Sequence, residues 1–213
     1  MSIKLKALGL GLLAAMAMAS VAAVNAGATA SGHFTSTASH TNITGTENTT
    51  HQVKLSVDGG TTIECKKTSY SGTIAAATAT EITITPSYAE CQTTGGTANA
   101  VTVTMNGCDY VFFSQGTRTH GTATVVCPVG KAIEIHHPNC TITVGTSHAL
   151  GGGIDYDQDG AGLTANVTVT EVPAEYHGGA CIFLGTNHKG TMTGSATISG
   201  KDKTGTTVTL SST

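Results

Sequence analysis

The sequence predicts an all-β protein, an antiparallel β-sandwich or barrel of about ten short strands, stapled by disulfides. Three observations predict it. From Ala100 to Gly145 the chain runs as short alternating segments, each closed by Gly, Pro or Asn. Val101, Val103 and Met105 alternate with Thr102 and Thr104, and Ile142 and Val144 with Thr141 and Thr143. Period-two patterning of β-branched residues means strands with one dry and one wet face. Second, threonine is the commonest residue, and its branched side chain suits a strand while its hydroxyl keeps the outer face soluble. Third, there are 6 cysteines, an even number. No capped stretch of helical periodicity interrupts the pattern.

Taken in order, the chain opens on a secretory signal peptide. Lys4 and Lys6 form a basic start, Ala7 to Ala19 is apolar, and Val24-Asn25-Ala26 fits a cleavage site, which sets residues 1–26 apart. The apolar run is shorter and richer in Ala and Gly than a membrane span of roughly 20 residues requires. No cysteine follows it and no apolar tail ends the chain, so neither a lipid nor a membrane anchor is expected. Residues 27–213 then form one secreted domain, long enough to bury a core. Removing Lys4 and Lys6 from the 10 basic residues leaves 8 against 13 acidic, a net charge of −5. Such a surface argues against nucleic acid and anionic membranes as partners. With no Trp and 4 Phe, the core must be built from Val, Ile, Ala and a few aromatics.

Residues 27–50 are rich in Gly, Ser and Thr, and fit either a flexible leader or an edge strand. Gln52–Val57 alternates, Asp58-Gly59-Gly60 turns, and Thr61–Cys65 returns as a hairpin. Thr80–Thr85 is a strand with Ile82 and Ile84 inward, and Pro86 ends its ladder or marks an edge. Gly151-Gly152-Gly153 is a flexible break. Leu163–Thr170 is a strand with Val167 and Val169 inward, and Gly190–Leu210 holds two strands about Gly200-Lys201-Asp202. The triplet Thr-x-Thr recurs at 83–85, 102–104, 122–124, 141–143, 168–170 and 191–193. Its uneven spacing fits successive strands of a sheet and not a solenoid, which keeps a constant period.

In an oxidising compartment Cys65, Cys91, Cys108, Cys127, Cys140 and Cys181 pair as three disulfides. A zinc site would need clustered or CxxC-spaced ligands, which the chain lacks. Cys65 and Cys91 are equidistant from Thr78, in the small-residue segment of one hairpin end. Cys108 and Cys127 are equidistant from Thr117-Arg118, in the end of another. Antiparallel register then sets each couple face to face. A strand from Lys131 to His136 separates Cys127 from Cys140, which leaves Cys140 to Cys181 by elimination.

Candidate chemistry is sparse. Asp155, Asp157 and Asp159 in DYDQDG match the first half of a calcium loop, where alternate carboxylates converge on one hard cation. The Glu at the twelfth position is replaced by Asn166 and the flanks are strands, so an acidic turn is the competing reading. Apart from this calcium no cofactor is expected. Of 9 histidines, His136 and His137 are adjacent and would point to opposite faces of a strand. Glu134 and His136 share a face and could act as acid and base, or simply solubilise it. His177-Gly178-Gly179 lacks the partner serine of an oxyanion loop, and no GxSxG is present. The N-x-T sequons at Asn42, Asn48, Asn139 and Asn166 would matter only in a eukaryote, and the signal peptide has a bacterial character.

The succession ECKK, SGT, ITPSYAEC, MNGCDYVF, VVCPVGKAIEI and TITVG resembles a group of exported proteins of high-GC actinobacteria, over roughly residues 60–200. That resemblance implies export, β-structure and disulfides, and no activity. The expectation is therefore a secreted, non-enzymatic structural or binding module of the extracellular space or cell envelope. One alternative is a secreted hydrolase whose site is assembled from distant residues, favoured by a pocket lined by Glu134, His136 or Asp155. A further one is binding of ice or a crystalline surface, which requires the Thr-x-Thr pairs to align on one flat face.

Overall fold

The computed structural model describes residues 32–57, 61–94, 99–116, 120–145, 150–179, 181 and 189–213. The expected signal peptide at 1–26, the expected turn at Asp58-Gly59-Gly60 and the expected hairpin end at Thr117-Arg118 lie outside them. Within them the chain is antiparallel β-structure held by three disulfides, without an α-helix. Seventeen strands form two sheets. They are β1 (Phe34–Ser36), β2 (Thr41–Glu47), β3 (Lys54–Val57), β4 (Thr61–Ile74), β5 (Thr78–Ala79), β6 (Glu81–Thr94), β7 (Ala100–Thr104), β8 (Asp109–Ser114) and β9 (Gly121–Val126). There follow β10 (Ile133–His137), β11 (Cys140–Val144), β12 (Gly151–Asp159), β13 (Gly162–Pro173), β14 (Glu175–His177), β15 (Lys189–Lys201), β16 (Thr207–Val208) and β17 (Leu210–Ser212).

The number exceeds the ten expected for three physical reasons. Residues 34–47 are neither leader nor edge: β2 lies between β15 and β4, with Thr41, Ile43 and Gly45 buried. Gly151-Gly152-Gly153 does not break the chain; it begins β12 and pairs with Thr170, Val169 and Thr168. A ladder is made by backbone groups, which glycine has in full. Third, long strands change partners along their length and leave short pieces beside them. β6 pairs with β8 at 81–84 and with β7 at 91–92. Pro86 sits between these two ladders, buried and opposite Tyr70 of β4, where its missing N–H is not needed on the open side.

The pairings run in a circuit through β4, β6, β8, β9, β12, β13, β15 and β2 back to β4. Its weakest join is β9 to β12, a single pair between Gly121 and Ile154, so no barrel of continuous ladders closes. A smaller sheet, β17–β1–β5, brings Phe34 into edge-to-face contact with Tyr156, ring centroids 5.3 Å apart. Phe34, Ile43, Val125, Ile142, Ile154 and Leu210 are among the most deeply buried side chains.

The disulfides follow the register. Cys65 and Cys91 face each other across β4 and β6, and Cys108 bonds Cys127 one step beyond the Asp109–Val126 pair of β8 and β9. Cys140 at the start of β11 bonds Cys181 just past β14. Between β7 and β8, Asn106 and Gly107 both take positive φ (52° and 82°), and Cys108 N–H donates to Met105 O at 2.8 Å. This is the Asn-Gly primed turn its sequence encodes.

Candidate functional site

Strands β7, β10, β11 and β14 lie side by side at one end of the large sheet. Alternation sends Val101, Ile133, Ile135, Ile142 and Val144 into the core. The opposite face then carries two rows across the four strands. One is Thr102, His136, Thr141 and His177; the other is Thr104, Glu134, Thr143 and Glu175. The turn at Pro138-Asn139, with Asn139 at φ 66°, returns β10 into β11 and fixes the register. The Cys140–Cys181 bond ties β11 to the segment that follows β14.

The side chains in these rows touch. His136 Nδ1 lies 3.2 Å from Thr141 Oγ1, and its Nε2 lies 3.1 Å from Glu134 Oε2. Thr143 Oγ1 lies 3.2 Å from His177 Nε2, and Glu175 Oε2 is 3.8 Å from that same nitrogen. Thr141, His136 and Glu134 thus stand in the order hydroxyl, imidazole, carboxylate, the order in which a base activates a nucleophile. Two features oppose such chemistry. The His136 and Glu134 side chains are 47% and 41% exposed, so water screens the pair. β11 is also paired on both sides, which commits its peptide N–H groups to ladders and leaves none aimed at a developing oxyanion. The sequence offers Glu134 and His136 as a pair and His177 only within His177-Gly178-Gly179; Glu175 and its place beside His177 emerge from the structure. Their signal was available: Glu-x-His occurs in both β10 and β14.

DYDQDG lies in β12 and the turn that follows, not in a loop between separate elements. Asp155, Asp157 and Asp159 follow one another along the exposed face of the strand. Alternate residues of a strand are roughly 6.6–6.8 Å apart, whereas calcium draws its oxygens to about 2.3–2.6 Å. Each carboxylate near the strand centre has a local partner instead. Asp155 Oδ1 is 2.7 Å from His120 Nδ1, and Asn166 Nδ2 donates to Asp157 Oδ2 at 3.0 Å. Gln158 Nε2 donates to the carbonyls of Gly160, Gly162 and Leu210, which fastens the turn. Among the described residues no three His, Cys, Asp or Glu side chains are grouped to hold a metal ion.

The Thr-x-Thr triplets at 83–85, 102–104, 122–124, 141–143, 168–170 and 191–193 lie in strands, on β6, β7, β9, β11, β13 and β15. They do not make one row, because Glu134 and His136 separate those of β7 and β11, and that of β6 lies on another part of the sheet. A different array emerges on β15, β2, β4 and β6. Its rows are Thr197-Thr46-Ser69-Ser87, Ser199-Thr44-Ser71-Thr85 and Lys201-Asn42-Thr73-Thr83, and every member is exposed. Hydroxyls occupy all of these positions except Lys201 and Asn42. Thr44 Oγ1 and Ser199 Oγ are 3.1 Å apart across the strands. The array joins four strands distant in sequence, so only the register reveals it.

Three cavities among the described residues lie elsewhere. Two are interior and walled by apolar side chains, and an open cleft is lined by Lys66, Glu90, Gln92 and Asn99. None of them is lined by Glu134, His136 or Asp155. No helix among the described residues is long and apolar enough to cross a membrane. No protein-family model, curated protein or solved structure matches the chain.

Proposed function

We propose that the protein is a secreted, non-enzymatic binding or structural module of the extracellular space or cell envelope. The hydroxyl array on β15, β2, β4 and β6 is its contact face. That array is the observation that carries the reading: short, nearly uncharged, hydrogen-bonding side chains held at strand spacing by a continuous ladder. Three disulfides support an oxidising compartment. Neighbouring strands rotate by about 20–25°, so four strands present a twisted surface. Such a surface suits a flexible uncharged polysaccharide chain better than a flat crystal face, which disfavours the ice-binding alternative. The test is co-sedimentation with insoluble uncharged polysaccharides. The wild-type protein should pellet and a Thr44→Lys/Ser71→Lys variant should stay in solution. Equal behaviour of the two would sink the reading.

A hydrolase is the second reading, and the Thr141–His136–Glu134 contact is what favours it. Ester or glycoside hydrolysis that disappears in His136→Ala, with the fold intact, would establish it in place of the first.

A further inference from the structure

The open cleft has a volume of about 310 Å³, and its wall is polar as much as apolar. A kink shared by β4 and β6 makes it. Along β4, Cys65 and Thr68 are buried, while Lys66 and Lys67 between them are both exposed. Along β6, Cys91 is buried, while Ala89 and Glu90 before it are both exposed. A regular strand sends neighbours to opposite faces, so each strand turns over by one residue at this place. Glu90 carries the turn: it has φ 53°, although Ala89 and Cys91 on either side keep their partners Lys67 and Cys65. A non-glycine residue in that conformation costs free energy, and such residues gather at functional sites. Lys67 Nζ donates to Glu90 Oε1 and offsets its charge. Lys66 has no ion-pair partner among the described residues. The cleft therefore holds one uncompensated positive charge. The amides of Gln92 and Asn99 complete its polar wall. That wall is fastened. Cys91 is bonded to Cys65, Asn99 O accepts from Thr93 N–H at 2.9 Å, and Asn99 N–H donates to Thr93 Oγ1 at 3.0 Å.

We propose that this cleft binds a single sugar acid, a pyranose ring bearing one carboxylate. The lone cation fixes the sign of the ligand: Lys66 meets the carboxylate with a compact ammonium that donates in three directions. A primary amide offers both donors and an acceptor, so Gln92 and Asn99 suit hydroxyls, which also do both. Glu90, held by Lys67, accepts from a further hydroxyl and turns away a second carboxylate. Among the described residues no aromatic side chain lines the cleft, which leaves no stacking platform for a base or an aryl ring. Small-molecule sites run from about 300 to 1,000 Å³, and this cleft stands at the lower end, with room for one ring. It lies beyond the Ser69–Ser87 end of the hydroxyl array and recognises a charge, so it does not depend on the reading of that array.

The test uses the intact, oxidised protein and the probes glucuronate, glucose and acetate, followed by amide NMR. Glucuronate should give saturable shifts at Lys66, Glu90, Gln92 and Asn99. They should lie in the millimolar range, because an exposed ion pair is weak, and fade at high salt. Glucose and acetate, which each carry only part of the ligand, should bind several-fold more weakly. Lys66→Gln should weaken glucuronate several-fold, and Lys66→Arg should retain it. Gln92→Ala should weaken glucuronate and glucose alike and leave acetate unchanged. No saturable shift, or undiminished binding in Lys66→Gln, overturns the site. Acetate as strong as glucuronate overturns the sugar, and glucose as strong as glucuronate overturns the role of Lys66.

Discussion

At the scale of single residues, backbone conformation and local partners decide the outcome. Gly107 has φ 82°, and an added Cβ would come within 3.3 Å of Pro128 Cγ. Gly153 is extended in β12, and a Cβ there would meet nothing within 4 Å. Gly107→Ala should therefore cost about 1–2 kcal/mol for the left-handed conformation, while Gly153→Ala should cost less or stabilise. Urea unfolding of the two variants reads the difference; equal losses would mean that the Asn-Gly turn is not primed. The acidic residues of β12 give a second outcome. Because Asp155 and Asp157 already have His120 and Asn166, millimolar calcium should leave the melting temperature unchanged. A rise that vanishes in Asp157→Ala would show that the strand end closes into a calcium site.

At the scale of elements, the sequence was legible wherever alternation and a turn signal coincide. Ile82 and Ile84 are buried in β6 and Val169 in β13, and hairpin arithmetic about Thr78 and Thr117-Arg118 places two disulfides. The third bond, left to elimination, joins Cys140 to Cys181. What stayed hidden depends on non-local pairing. Nothing in residues 41–47 says that this Thr-rich stretch becomes an internal strand, because its partners lie in β4 and β15. The Glu-x-His of β14 joins that of β10 only because β11 stands between them. β14 is three residues long and pairs only with β11 in the sheet order, so it depends on the bond beside it. Replacing Cys140 and Cys181 by Ser should lower stability by about 3–4 kcal/mol in the chain-entropy model. It should also speed hydrogen exchange in β11 and β14 before the rest of the sheet. Uniform acceleration throughout would contradict a local staple.

At the scale of the whole molecule, four of the five tyrosines report on the core. Burial raises the pKa of Tyr70, Tyr88, Tyr110 and Tyr156, with neighbouring phenols and Glu47 adding to the effect at Tyr70 and Tyr88. An acid with a raised native pKa stays protonated in the folded state while the unfolded chain ionises. The unfolded state then binds fewer protons, and stability falls as pH rises above roughly 10, the unfolded tyrosine value. Phenolate absorbance should therefore appear mainly together with unfolding; a smooth titration near that value with the fold intact would place these phenols in water. We propose an exported protein; in its antiparallel fold, register brings distant residues onto common faces, and the cysteines record that register. The most direct test is mass spectrometry of the secreted protein, intact and as non-reduced peptides. The mature chain should begin at Gly27 with Cys65–Cys91, Cys108–Cys127 and Cys140–Cys181 linked and no free thiol. Residues 1–26 retained, free thiols under oxidising conditions, or a Cys127–Cys140 link would contradict it.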